Sequence, residues 1–109
     1  MNNQREPDVE ALVTYLSTED GGRKSAMYEG FSPNHLVRDD YLTSGRHEFL
    51  DKDVVYPGDT VRVNVWFITP GVYPNTLWVG REISVQEAGH VIGTAGITKI
   101  YNKVLEKSS

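Results

Sequence analysis

Apolar and polar residues alternate with a period of two along most of this chain. The clearest case is the segment 60–69, where an apolar residue stands at every second position from Val61 to Phe67. Successive side chains of a β-strand point to opposite faces, so this segment predicts a strand with one face toward a core. Shorter segments of the same kind predict strands at residues 9–16, 25–28, 35–42, 46–50, 82–86 and 91–101. Short strands at this regular spacing favour a β-sandwich or a β-barrel.

Turn-forming residues separate the predicted strands. The segment 56–59 reads Tyr-Pro-Gly-Asp, in which proline presets one φ and glycine accepts a positive φ, as a type II turn requires. The polar residues 1–8 predict a disordered N-terminal tail. Residues 102–109 are too few to hold a helix alone and predict a charged C-terminal tail. One domain therefore spans residues 9–101. Further turn signals lie at residues 20–22, 31–33, 44–45, 70–71 and 88–89.

The composition is that of one globular domain. Of 109 residues, 39% are hydrophobic and 24% are charged, which lies outside the range of disordered chains. The chain has no cysteine, no apolar run near the roughly 18 residues of a membrane span, and no apolar stretch at its start. These features predict a cytoplasmic protein with no membrane partner. The net charge of −4 argues against binding nucleic acid through bulk positive charge, but it is compatible with a local basic patch.

No pattern typical of a catalytic, metal or cofactor site stands out. The glycine-rich segment 89–96 lacks the Gly-Lys-Ser/Thr ending of a phosphate loop, so its glycines predict a bend and close approach of strands. His35, His47 and His90 are far apart in the sequence, which predicts surface or half-buried structural histidines rather than zinc ligands. No serine lies in a nucleophile-elbow pattern. The sequence therefore predicts a binding protein with no cofactor and no enzymatic activity.

Four blocks of sequence resemble, in order, the third (C-terminal) domain of translation elongation factor Tu. Residues 15–38 resemble its Leu-Ser-Lys step, acidic Gly-Gly-Arg turn and Gly-Tyr-Arg-Pro-Gln bend. Residues 41–45 resemble Asp-Val-Thr-Gly, residues 55–70 its Met-Pro-Gly-Asp strand, and residues 83–93 Phe-Ala-Ile-Arg-Glu-Gly-Gly-Arg-Thr-Val-Gly. The resemblance covers residues 9–101. It implies an all-β fold, a closed six-stranded antiparallel Greek-key barrel, without the GTPase domain and so without GTP binding.

The resemblance also implies a set of RNA-facing residues, because in that family the barrel helps to hold the T stem of aminoacyl-tRNA. Arg23 matches the family's arginine, Lys24 replaces a histidine, Asn34 replaces a glutamine, and Thr43 and Glu87 match. Cations at the first two positions suit phosphates, and the other three suit sugar hydroxyls and base edges of double-stranded RNA. Several positions depart from the family pattern and lower the expected affinity: Ser32, Thr69, Gln86, Ala88 and His90.

The segment 71–79 is longer than the corresponding family loop and carries Tyr73, Leu77 and Trp78. Aromatic residues on a loop tip are enriched at protein-binding hot spots, so these three side chains are candidate contacts for a protein partner. The alternative is that Leu77 and Trp78 extend a strand and plug one end of the barrel.

Three interpretations of function follow from the sequence and remain open. The first is a stand-alone, translation-linked module that weakly recognises the T arm of tRNA or a similar RNA helix. The second is a protein-binding mimic of elongation factor Tu that engages a regulator, a toxin or the factor's GTPase domain. The third is a domain excised from a longer protein.

Overall fold

A computed structural model describes residues 5–107, which form an all-β domain. The strands are β1 (Val9–Tyr15), β2 (Met27–Tyr28), β3 (Asn34–Arg38), β4 (Tyr41–Phe49), β5 (Val54–Val55), β6 (Thr60–Phe67), β7 (Glu82–Glu87) and β8 (His90–Ile100), with short 3₁₀ turns η1 (Pro70–Val72) and η2 (Lys103–Leu105). The barrel closes in the order β1-β6-β4-β3-β7-β8, and every neighbouring pair is antiparallel. Among the described residues, no helix is long and apolar enough to cross a membrane.

The closed six-stranded antiparallel barrel predicted above is confirmed. Strands β3, β4 and β6 are successive neighbours, and β1 returns to lie beside β6, which is a Greek-key arrangement. Closure leaves no free edge within the barrel, and β2 and β5 form a separate two-stranded sheet.

The period of two places the core inside the barrel. In β6, Val61, Val63, Val65 and Phe67 are buried, while Arg62 between them is exposed. β1 follows the same rule, because Ala11 and Val13 lie inward and Leu12 outward. The apolar alternation read from the sequence thus predicts correctly which side chains of these strands form the core.

The strand boundaries differ from the prediction between residues 35 and 50. A turn was predicted at Ser44-Gly45, but both residues lie inside β4, and the chain turns at Asp39-Asp40 instead. Gly45 serves interior packing and not a turn. A Cβ on it would lie 2.8 Å from Val65 Cγ1 and 3.0 Å from His35 Cε1, so a larger residue does not fit there.

The chain ends also differ from the predicted tails, although residues 1–4 and 108–109 lie outside the described residues. Asp8 is fully buried, and its backbone carbonyl accepts hydrogen bonds from the amides of Tyr101 and Asn102. Leu105 of η2 is also fully buried. Both of these segments therefore pack on the barrel. Residues 5–8 do so through the buried carboxylate of Asp8, and residues 102–107 do so through the buried side chain of Leu105.

Candidate functional site

The shortest junction of the barrel lies between β3 and β7. These strands pair at Asn34↔Gln86 and His35↔Val85, whereas β1 and β6 pair at six positions. We call this junction the seam. Arg23, Asn34 and Glu87, which the resemblance assigns to RNA, lie around its outer side, and the buried His35 and His47 lie on its inner side.

The loop after β1 brings Arg23 to the seam. This loop turns back on itself, since the amides of Asp20 and Gly22 both donate to the carbonyl oxygen of Ser17. Gly22 is required here because a Cβ would overlap the carbonyl oxygen of Leu16. The exposed His90 fixes the loop from outside, as its Nε2–H donates to the Gly21 carbonyl oxygen at 2.8 Å.

Arg23 reaches across to the end of β7. Its Nε lies 3.1 Å from Glu87 Oε1, and its guanidinium lies 4.9 Å from the centre of the Phe31 ring. The stacking and the ion pair hold this cation in one place. Lys24, the next residue in the chain, is exposed.

Asn34 lies between the two strands that flank it, opposite Gln86 on one side and Ser44 on the other. The Ser44 hydroxyl donates to Asn34 Oδ1 at 3.3 Å. Gln86 precedes Glu87, so Arg23, Asn34, Gln86 and Glu87 are neighbours although they come from three separate segments. We call these four residues the seam surface.

Thr43 does not belong to the seam surface, which corrects the prediction. It is 4% exposed, and its Oγ1 lies 2.9 Å from the Tyr73 hydroxyl inside the barrel. Thr43 and Ser44 are adjacent in a strand, so they point to opposite faces, and the outward one is Ser44. Ser44 was not among the predicted site residues because Ser44-Gly45 has the composition of a turn.

The seam surface carries one positive and one negative side chain. Glu87 balances Arg23 within it, and the exposed Lys24, which follows Arg23 in the chain, adds a cation next to it. No protein-family model matches this chain. A ligand at this surface is supported by the geometry of its residues and by the resemblance described above.

The structure also corrects two of the three predicted protein contacts in the segment 71–79. Tyr73 and Leu77 are 0% exposed, and Leu77 forms a parallel bridge with Glu106, so this loop fills the interior instead of projecting. Trp78 is 44% exposed and the next residue, Val79, is 60% exposed. The alternative prediction, that this segment plugs the barrel, agrees with the burial of Leu77. Trp78 is the predicted contact that stays accessible.

Two cationic side chains lie close to the ring of Trp78. Arg81 Cζ lies 5.0 Å and Lys107 Nζ 5.5 Å from the ring centre. Arg81 is held by donating to the carbonyl oxygens of Val37 and Thr76. An open groove of about 600 Å³ lies beside the ring, and its wall also carries Arg38, Asp39 and Asp40, so both charges line it.

Two histidines meet inside the barrel, which the sequence did not predict. His35 and His47 are both buried, and their Nε2 atoms are 2.8 Å apart. His35 Nδ1 lies 3.2 Å from the Thr43 carbonyl oxygen, and His47 Nδ1 lies 3.1 Å from the Tyr15 hydroxyl. The prediction of surface or half-buried histidines is therefore wrong for these two, whereas His90 is exposed.

Burial favours the neutral form of both rings. It lowers the pKa of His35 to about 4, and the hydrogen bond to the Thr43 carbonyl opposes this shift. The pKa of His47 is lowered well below its usual value by burial, and a charge on His35 would lower it further. Burial also raises the pKa of Tyr15, so its hydroxyl keeps its proton.

Proposed function

We propose that this chain is a translation-linked binding module whose seam surface weakly recognises the T arm of tRNA or a similar RNA helix. The observation that carries the proposal is the convergence of Arg23, Asn34 and Glu87, which come from three segments of the chain and lie around one junction. The resemblance to the third domain of elongation factor Tu assigns these same positions to RNA.

The chemistry of the seam surface suits a double-stranded RNA. Arg23 and Lys24 supply charge for phosphates, and the amide of Asn34 and the carboxylate of Glu87 suit 2′-hydroxyls in the shallow minor groove. Arg23 is already paired with Glu87, and the net charge of the chain is −4, so we expect low affinity and only a modest dependence of that affinity on salt.

The double variant Arg23→Ala, Lys24→Ala tests this proposal. We expect its affinity for fluorescently labelled tRNA to fall by about tenfold at about 50 mM salt, because two phosphate contacts are lost. The slope of log K against log[salt] between about 50 mM and about 200 mM is negative, and it should become less negative by about 2 for the same reason.

A matched control removes the same charge elsewhere. Arg62 of β6 and Lys99 of β8 are exposed and both lie near Glu10, on strands away from the seam. The double variant Arg62→Ala, Lys99→Ala should bind tRNA like the parent. Equal losses of affinity in both double variants would indicate nonspecific electrostatic attraction. No loss of affinity in the Arg23→Ala, Lys24→Ala variant would show that the seam surface does not bind tRNA.

The second candidate is a protein-binding mimic of elongation factor Tu that engages a regulator, a toxin or the factor's GTPase domain. The observation that favours it is the exposure of Trp78 and Val79 beside the groove. Tryptophan and arginine are enriched among the residues that carry most of the binding energy of protein interfaces.

Trp78→Ala tests the second candidate with the purified GTPase domain of elongation factor Tu as the probe. We expect the change to weaken binding by at least about tenfold, as for a hot-spot residue. Tyr56→Ala, which removes an exposed aromatic ring outside this groove, should bind like the parent. Equal affinities of all three proteins for the probe would exclude Trp78 as the anchor of this interface.

A further inference from the structure

The hydrogen bonds of the two buried histidines can run in one direction only. The Thr43 carbonyl can only accept, so His35 carries its proton on Nδ1 and presents a lone pair at Nε2. His47 must then donate from Nε2 to His35, which leaves its Nδ1 as the acceptor for the Tyr15 hydroxyl. Neutral rings thus satisfy every ring nitrogen of the pair.

A proton on either ring breaks this arrangement. If His35 takes it, two N–H groups face each other across the 2.8 Å between the Nε2 atoms. If His47 takes it, its Nδ1–H faces the Tyr15 hydroxyl, whose own proton then loses its acceptor. In both cases a charge lies in the interior, and within residues 5–107 the hydrogen-bond partners of the rings are neutral groups that do not balance it.

The surroundings offer the charge no compensation. The rings lie against Tyr15 of β1, Thr43 of β4, Phe31 before β3 and Phe67 of β6. β7 and β8 face the interior with apolar side chains, among them Val85 and Ile92. Two charged side chains act on residues around the pair and not on the rings themselves. Arg23 acts on Tyr15 and lies over the Phe31 ring, and Asp8 acts on Tyr73, which contacts Thr43.

The histidine pair also lies beside the junction with the fewest paired residues. His35 forms one of the two residue pairs of the seam, and its bond to His47, continued to Tyr15, ties β3 across the interior to β1. We propose that the histidine pair is an acid-sensitive lock on the seam: two neutral rings hold β3 in the closed barrel, and a proton on either ring opens the junction with β7.

Opening the seam would separate residues of the seam surface. Asn34 lies on the β3 side of the seam and Glu87 lies on the β7 side, so separation of the strands takes these residues apart. This consequence rests on the proposed function. The lock itself does not, and the tests below contain no RNA.

The first test is urea unfolding of the whole chain at pH 6 and pH 5. An unfolded histidine has a pKa of about 6.5, so the unfolded state binds more protons than the folded state in this range, and stability falls as the pH falls. We expect the unfolding equilibrium constant to rise by about eightfold for each histidine, or about sixtyfold for the pair. His90→Gln, a change of an exposed histidine, should keep this dependence.

In the double variant His35→Phe, His47→Leu, most of this rise in the unfolding equilibrium constant between pH 6 and pH 5 should disappear, whatever the stability of the variant. If it does not fold, nitrogen-15 spectra of the imidazoles in the parent give the answer instead. At pH 6 we expect His35 protonated on Nδ1 only and His47 on Nε2 only. A rise in the double variant as steep as in the parent, or a charged ring in the folded parent at pH 6, would overturn the lock.

Hydrogen exchange tests where the barrel opens. Between pH 6 and pH 5, protection factors for amides of β3 and β7 should fall more than those of β1 and β6. An even loss over the four strands would show that the proton destabilises the whole barrel and that the seam is not the part released.

Discussion

The variant Asp8→Ala is expected to lose about 3–5 kcal/mol of unfolding free energy, the largest effect of any change considered for this protein. The fully buried carboxylate joins three parts of the chain. It accepts the Phe67 amide at 2.7 Å, the Asn102 side-chain amide at 2.8 Å and an Arg5 guanidinium nitrogen at 3.0 Å. Alanine leaves the buried Phe67 amide and the Asn102 amide without acceptors, and each such loss is costly in an interior.

Urea unfolding at pH 7 measures this effect, and Asp51→Ala provides the comparison. Asp51 pairs with Arg62 at 3.1 Å, but both side chains are nearly half exposed, so the change should cost less than about 1 kcal/mol. A loss from Asp8→Ala as small as that from Asp51→Ala would mean that residues 5–8 and 101–102 do not hold the barrel together.

A feature of this fold is predictable from the sequence when the residues that cause it are close together in the chain. The alternation in 60–69 follows from a strand with one buried face, and it predicted β6 and its core side chains correctly. A strand needs only its own residues to reveal such a face. The closed order of the six strands came from the resemblance, since alternation alone does not say which strands are neighbours.

The candidate site was predicted less well because its residues depend on strand boundaries. Ser44-Gly45 has the composition of a turn, so β4 was divided there, and the inward direction of Thr43 was lost. A strand continued through Gly45 gives the correct faces at once, since residues 43, 45, 47 and 49 then share the inner face. The signal was present in the spacing, but the turn propensity of glycine outweighed it.

Other features depend on contacts between distant residues. Leu77 is buried because the segment 75–77 pairs with residues 104–105, and nothing near Leu77 in the sequence shows this. The meeting of His35 and His47 requires the register of β3 and β4, which shifts between Leu36 and Arg38. Such contacts become predictable only when the pairing of the strands is known.

The variant Gly45→Ala tests the reason for that glycine in β4 and should cost about 2–3 kcal/mol of unfolding free energy. The new Cβ would lie 2.8 Å from Val65 Cγ1, 3.0 Å from His35 Cε1 and 3.1 Å from Phe67 Cδ1. All three atoms belong to buried side chains of the closed barrel, so relief requires movement of packed neighbours. Gly71→Ala, where a Cβ meets nothing within 4 Å, should change stability by less than about 0.5 kcal/mol.

A double-mutant cycle identifies the overlap that causes the cost. Val65→Ala removes the Cγ1 atom nearest to the new Cβ, so it should be less damaging in the Gly45→Ala background than in the parent. We expect a favourable interaction of about 1 kcal/mol between the two changes, measured by urea unfolding of all four proteins. Strict additivity would place the strain elsewhere, at His35 or Phe67. A neutral Gly45→Ala would mean instead that the glycine serves the turn that its neighbourhood in the sequence suggests, and that β4 does not run unbroken past the histidine pair.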